Sequence, residues 1–381
     1  MHKNKTHKGS TNPTVNSNVQ PASLIKLGVD AHADCYRVVR QIDNGPLQPT
    51  QGMKFEKLLD WTQKHRGLAQ RVVVCYEAGT FGFYPARQLQ QRGVECLVMV
   101  PINLDEGNTR VSNDRLDARR IAVRLDRYLA GDKDALNIVT IPTVSQEEQR
   151  DLGRQRQTLC GDIRRFADRG RAYLRKYGHR VKGRWWRAPQ WDKLKESLAP
   201  VHVQYLERWI EILQTLVKTL AEIDAALIAQ AEKHLAGRVL PLGLGLLSYE
   251  LLRLEVCDWQ RFKNRRQVGS MTGLCPSESS SGPSRQQGSV TKHGNPAMRW
   301  VLVEMAWRLI QYQPSCHAVA KWLPELKSGK LTKSKRKKIA VAIARQLAVD
   351  LWRVATEKTT FEKLGFTLPA RKTPPQAAAA A

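Results

Sequence analysis

Residues 24–30 read LIKLGVD, and residues 71–77 read RVVVCYE. Each is a short apolar run that ends on a carboxylate, Asp30 in the first and Glu77 in the second. Runs of this length, rich in β-branched residues, predict buried strands. Between and around them the pattern alternates. Tyr36–Ile42 reads as a second strand, followed by the turn signal Asp43-Asn44-Gly45. Phe55–His65 carries Phe55, Leu58, Leu59 and Trp61 as its apolar residues and predicts a helix. Phe81–Arg92 predicts another helix, and Val94–Val100 another β-rich run. Asp114–Leu129 is strongly helical, with Ser112 or Asn113 as its N-cap. Strands alternating with helices predict an α/β domain. In open α/β sheets the carboxyl ends of the strands are where ligands bind.

That places Asp30 and Glu77 at a candidate site. Asp114 and Asp117 are three apart on one helix and share a face. Four converging carboxylates repel one another, and hard divalent ions resolve the repulsion. Two such ions can clamp a scissile phosphate. Each acid also has an ordinary reading. Asp30 reads equally as a turn residue, and Asp114 and Asp117 have Arg115, Arg119 and Arg120 as nearby pairing partners. The strand-end, strand-end, helix-face arrangement, taken together, points to a ribonuclease-H-like nuclease fold.

The charge narrows the partner class. Sixty-two Lys and Arg against 35 Asp and Glu give the 381-residue chain a net charge of +27. An excess of this size on a folded protein points to a polyanion, most often nucleic acid. No apolar run is long enough to span a bilayer. Residues 1–22 form a polar basic arm without an apolar signal core, which predicts disorder. The seven cysteines form no CxxC pair, so neither a zinc site nor a disulfide framework is implied, and a reducing cytoplasm fits.

Arg150–Lys195 holds 15 Lys and Arg against four acids, with Phe166, Tyr173, Tyr177, Trp185, Trp186 and Trp191 interleaved. Cations can track a sugar-phosphate backbone while aromatics stack on unpaired bases, and this reading is favoured over a solvated helix pair with an aromatic core. Arg164, Arg165, Arg171 and Arg175 are the candidate contacts. Leu206, Leu213, Leu220 and Leu227 recur every seven residues, with Trp209, Leu216 and Ile223 between them. That heptad predicts a coiled-coil helix, paired either with residues 151–177 of the same chain or with another subunit.

Residues 273–299 read GLCPSESSSGPSRQQGSVTKHGNPAMR. No apolar run interrupts them, so they predict a long loop that enters a helix near Pro296. A serine beside glycine, ringed by Arg285, Lys292 and Arg299, has what an attack on a phosphodiester requires. A flexible Ser/Gly linker is the ordinary alternative. Upstream, Pro241–Gly245 resembles the glycine turn of helix-hairpin-helix elements, which grip phosphate with backbone amides. Downstream, Ala297–Tyr312 predicts an amphipathic helix, Lys327–Lys338 is a basic run leading into Ile339–Ala355, and residues 367–381 are a low-complexity tail.

GVDAHADCYRV, CYEAG and SNDRLDARRIA resemble the three acidic blocks of the IS110/IS1111-type transposases, and TGLCPSESSSG followed by QGSVTKHGNPAMRWVLVEMAW resembles that family's C-terminal block. The resemblance implies a RuvC-like domain over residues 23–145 with Asp30, Glu77, Asp114 and Asp117 holding Mg²⁺ or Mn²⁺. It implies a basic helical and coiled-coil region over 146–236, used in homo-oligomeric assembly. It implies a serine domain over 237–366, in which Ser281 is the nucleophile and Ser280 is its alternative. Strand cleavage and rejoining through a phosphoserine link, double-stranded donor and target DNA, and guidance by a structured noncoding RNA are implied with it. So is a nucleoid location in a prokaryotic cytoplasm. Two rival readings keep parts of this. One is a Holliday-junction-type nuclease that uses the carboxylates with water, and the other is a non-enzymatic nucleic-acid-binding protein.

Overall fold

The computed structural model describes residues 21–101, 114–278 and 286–369, with only the backbone at 114 and 115. The chain divides into two compact units, Met1–Ile141 and Pro142–Ala381. The first is mixed α/β and the second is mostly helical.

The first unit is built on one five-stranded sheet. Its strands are β1 (Ala22–Asp30), β2 (Tyr36–Ile42), β3 (Gln51–Met53), β4 (Ala69–Glu77) and β5 (Glu95–Met99), in the order β3-β2-β1-β4-β5. β1 to β3 are antiparallel neighbours, whereas β1, β4 and β5 run parallel. The short strand β3 follows the turn at Asp43–Gly45, and no hydrophobic run announces it. β4 is interior, between β1 and β5, and buried on both faces, which is why it reads as an unbroken Val-rich run. Ile25, Leu27, Val29, Val72, Val74 and Tyr76 turn to one face. There they meet Leu58 and Leu59 of α1 (Phe55–Arg66) and Ala86 and Leu89 of α2 (Tyr84–Gln91). Val73 and Cys75 turn to the other face, against Ile121 and Leu125 of α3 (Asp114–Leu129).

α3 lies unusually close to β1. A β-carbon on Gly28 would stand 2.4 Å from the Ala122 nitrogen and 2.6 Å from the Ala118 carbonyl oxygen. Only a glycine admits backbone at that range. On the same strand Lys26 is 3% exposed, and its ammonium forms an ion pair with Asp126 of α3. A buried lysine is costly without such a partner, so the pair holds the helix against this strand.

The second unit opens with two long helices, α4 (Val144–Lys176) and α6 (Pro200–Leu235), joined through the short α5 (Gln190–Glu196). Thr143 and Gln146 form a reciprocal capping box at the start of α4, and Pro200 occupies the first turn of α6. The two helices run antiparallel. Tyr173 stacks on Tyr205 at 4.0 Å, Phe166 meets Trp209 at 5.3 Å, and Arg156 bonds Asp224 at 2.5 Å. The heptad residues Leu206, Leu213, Ile223 and Leu227 are buried, while Leu216 and Leu220 are half-buried. Within the chain, α4 is therefore a partner of the heptad helix.

For the three tryptophans, the reading as base-stacking platforms needs correction. Trp185, Trp186 and Trp191 are buried in the core between α4 and α6. Trp185 lies against Gly170, where a β-carbon would come within 2.1 Å of its ring, and its indole N–H donates to the Ala167 carbonyl at 3.0 Å. Burying these large rings is worth more than leaving them on the surface. The remainder comprises α7 (Leu246–Val256), α8 (Arg265–Thr272), the strands β6 (Pro276–Glu278) and β7 (Gln287–Val290), α9 (Pro296–Tyr312), the short α10 (His317–Ala320) and α11 (Leu323–Lys327), and α12 (Lys333–Ala355). Met298, Leu302, Met305 and Leu309 of α9 share a core with Ile339, Ile343, Leu347 and Leu351 of α12. Among the described residues, no helix is long and apolar enough to cross a membrane.

The Gly28 contact yields a test. Gly28→Ala must push α3 off β1 and should cost about 1–3 kcal/mol, the usual range for overpacking. The check is the urea midpoint of the purified protein, and an unchanged midpoint would mean that the helix does not lie on this strand.

Candidate active site

The ladder between β1 and β4 ends at the pair Val29–Tyr76. Asp30 and Glu77 are the next residue on each strand, so the two carboxylates leave the same end of the sheet. Side chains alternate between faces. Asp30 therefore shares a face with Lys26 and Gly28, and Glu77 shares it with Val73 and Cys75. That is the face α3 covers. Asp30 is also the ladder partner of Arg37 on β2, and Glu77 of Met99 on β5. Asp117 lies in the first turns of α3, one residue before the close contact at Ala118. The tight seat of α3 on Gly28 thus brings the helix acid toward the two strand-end acids.

The charges at this edge act on Glu77. Burial holds the Glu77 carboxyl above its usual range, and the charges of Asp30 and then Asp117 push it further in the same direction. Asp117 also accepts a hydrogen bond from Arg120 at 3.1 Å, one turn further on. The ordinary pairing and the acidic grouping therefore hold together. Asp114 begins α3, one turn before Asp117, and its side chain lies outside the described residues. So does the expected N-cap, Ser112 or Asn113.

The chemistry of this set fits a hard divalent cation: carboxylate oxygens alone, repelling one another, at a strand-end site. Among the described residues, however, no three His, Cys, Asp or Glu side chains stand close enough to form a metal-holding group. Asp30, Glu77 and Asp117 are near enough to repel but are not drawn into a ligand cluster.

The serine stretch was expected as a loop throughout. Instead β6 and β7 pair antiparallel within it, matching Pro276 with Val290 and Glu278 with Gln287. A short exposed ladder needs backbone partners only, so polar side chains did not announce it. The base of this hairpin is well held. Thr291 N–H donates to the Cys275 carbonyl at 2.8 Å, and Lys292 N–H to the Gly273 carbonyl at 3.1 Å. The Arg299 guanidinium donates to the Lys292 carbonyl at 3.1 Å and to the Thr272 carbonyl at 3.4 Å. Asn295 caps α9 through Met298 N–H at 3.0 Å, and its amide donates to Glu255 at 2.5 Å. Arg154 bonds the other oxygen of Glu255 at 3.2 Å. Residues 279–286 lie between the two strands in sequence, and 279–285, with Ser280, Ser281 and Arg285, are outside the described residues.

Residues 243–321 match the model of the transposase IS116/IS110/IS902 family. A putative transposase of Sinorhizobium fredii, y4rJ, is 27% identical over 332 residues, covering 81% of this chain and 83% of its own. The transposase of insertion sequence element IS1328 from Yersinia enterocolitica is 26% identical, over 76% of this chain and 86% of its own. Over most of its length the chain is similar to IS110-type transposases. The transposase of IS1111A from Coxiella burnetii is a further relative, 25% identical over 65% of this chain and 68% of its own. The matched segment runs from the turn before α7 through the hairpin and α9 to α10, so it contains Ser281. A match over 81% of the chain reaches beyond Pro142–Ala381 into the sheet unit.

The candidate nucleic-acid contacts fall into three groups. Arg164 and Arg175 are exposed on α4 and form no ion pair among the described residues. Arg165 and Arg171 are paired with Asp162 and Asp168, each one turn earlier. Lys292 is exposed, whereas Arg299 holds backbone carbonyls at the base of the hairpin, a positioning role. Gly28 was not singled out as a site residue. Its signal was a glycine in the interior of an apolar strand.

Glu77 gives a pH test. Its folded-state pKa is raised, so far below pH 4.5 it is neutral in both the folded and the unfolded chain and has no effect. As pH rises, the unfolded chain ionises first and the fold loses stability, until Glu77 ionises in the fold as well. Glu77→Gln removes that loss. Its urea midpoint should exceed the wild-type value at pH 7, and the two should converge in acid. Millimolar Mg²⁺ or Mn²⁺ should raise the wild-type midpoint and not that of the variant. A wild-type midpoint that neither ion moves would remove the metal reading.

Proposed function

We propose that the chain is a DNA transposase that cuts and rejoins strands through a covalent link to Ser281. Two observations support this. The matched family segment contains the serine hairpin, and the charges of Asp30 and Asp117 both act on Glu77 at one end of a mixed sheet. On this reading the sheet unit is RuvC-like, and Asp30, Glu77, Asp114 and Asp117 would hold Mg²⁺. The bound ion would supply charge neutralisation at the phosphodiester and ease ionisation of the nucleophile. The remaining steps belong to the chain. The Ser281 hydroxyl loses its proton as Oγ bonds to phosphorus. The bond from phosphorus to the 3′ oxygen breaks, and that oxygen takes up a proton to leave a 3′ hydroxyl. The phosphoserine link conserves the bond energy for rejoining, which a nuclease using water would lose. Lys292 and Arg285 would neutralise the phosphate, and Arg299 would hold the base of the loop in place. The same reading has donor and target DNA as duplex substrates, a structured noncoding RNA as guide, and copies of the chain assembling as a homo-oligomer at the nucleoid.

The decisive measurement is the protein–DNA adduct, seen on a denaturing gel after incubation with Mg²⁺ and substrate. Ser281→Ala should abolish the adduct, a loss of at least about 100-fold given that the nucleophile itself is removed. Folding should be unchanged, and Ser280→Ala should keep substantial activity. Asp30→Asn and Glu77→Gln should also stop cleavage while leaving nucleic-acid binding largely intact. Cleaved DNA with free 5′ phosphates and no attached protein, equal from wild type and Ser281→Ala, would instead establish the water-using nuclease.

A further inference from the structure

The second unit carries a cationic cleft that none of the sequence motifs marked. It has a volume of about 830 Å³ and lies between the start of α8 and the outer side of α12. Arg265 and Arg266 line it from α8 and Lys263 from just before that helix, while Arg345 and Arg353 line it from α12, with Lys358 beyond that helix. No Asp or Glu is among its lining residues. With Lys321 the lining holds seven cations; among the described residues none of them is in a salt bridge, and all but Arg353 are exposed. The two walls are fixed to each other. The Arg345 guanidinium lies over Gly269 of α8, with Nε 3.4 Å from the position a β-carbon would take.

So many like charges around one concavity repel each other, and a polyanion relieves that repulsion with release of counterions. The end of α8 contributes little to anion binding, since Asn264 already accepts from the backbone N–H groups of Arg266 and Gln267. The attraction therefore comes from the side chains. The cleft also offers no platform for unpaired bases. Its one tryptophan, Trp352, is 6% exposed, and the Lys358 ammonium sits 4.0 Å over its ring. Cations without exposed aromatics suit a paired, stacked nucleic acid that presents only its phosphates. We propose that this cleft holds the sugar-phosphate backbone of duplex DNA, through residues other than those of the serine hairpin and α4. The inference rests on the chain handling DNA, and not on Ser281 as nucleophile. Sequence reading missed the cleft because its cations come from four segments far apart in the chain, around 263–266, 321, 345–353 and 358.

The test reads binding without cleavage. Affinity of the full-length protein for a short duplex of arbitrary sequence is followed by fluorescence anisotropy across a salt series. Arg265→Gln/Arg266→Gln/Arg345→Gln should weaken binding and lower the slope of log K against log salt by about 2–3, since each phosphate contact contributes about 0.9. Lys54→Gln/Lys57→Gln/Lys64→Gln removes the same charge from α1 and should leave the slope within about one unit. A second measurement uses the unmodified protein. Saturating duplex DNA should protect Lys263 and Lys358 from acetylation several-fold while Lys54 and Lys57 still react. An unchanged slope in the cleft variant, an equal fall in the α1 variant, or unprotected Lys263 and Lys358 would overturn the proposal. So would protection by structured RNA and not by DNA. Failure of the serine mechanism in the adduct assay would leave a lowered slope and protected lysines standing as support for the cleft.

Discussion

Where α3 crosses β1, backbone meets backbone in the space left by a missing side chain. Gly28 lets Ala118 and Ala122 approach to distances that any β-carbon would forbid. The sheet's second face is closed by this contact, with Val39, Ala118 and Ala122 packed together beside it. The Lys26–Asp126 pair lies on the same face, charge-compensated in a region too dry to leave an ammonium alone. Asp117 is the neighbour of Ala118, so the helix acid sits near the strand ends because the helix is seated so deeply. The chemistry proposed for this edge thus depends on a residue with no side chain.

The acids in turn show a conflict between stability and charge. Glu77 resists ionisation because it is partly buried and has two other carboxylates nearby. A sheet selected for stability alone would have neutral residues here. Strain of this kind tends to collect where a protein must receive a charged ligand. The cationic cleft between α8 and α12 is the same conflict with the opposite sign.

Much of the sheet unit was readable from sequence. Strands β1, β2, β4 and β5 and all three of its helices follow from period and composition, because each buries a continuous apolar set. The acids at the ends of β1 and β4 were equally plain, since a carboxylate directly after a buried strand must lie at the sheet's edge. What escaped had no hydrophobic signature. β3 is three residues long, and the β6–β7 hairpin is held by backbone hydrogen bonds beneath polar side chains. The tryptophans at 185, 186 and 191 misled because basic neighbours suggested a surface, while the glycine that makes room for Trp185 lies 15 residues away on another element. The cleft was hidden for a related reason, as proximity in space joined cations that are far apart in the chain.

The burial of those tryptophans has a thermodynamic consequence. With Trp185 wedged against Gly170 and α4 zipped to α6 in one chain, this hairpin of helices is complete before any nucleic acid arrives. Association along it orders little new backbone and removes little apolar surface from water. Its heat-capacity change should therefore be small, unlike that of a basic segment that folds on its target. The exposed arginines of α4 can then vary in number and position without disturbing the core beneath them, so the strength of attraction and the stability of the arm are free to change independently.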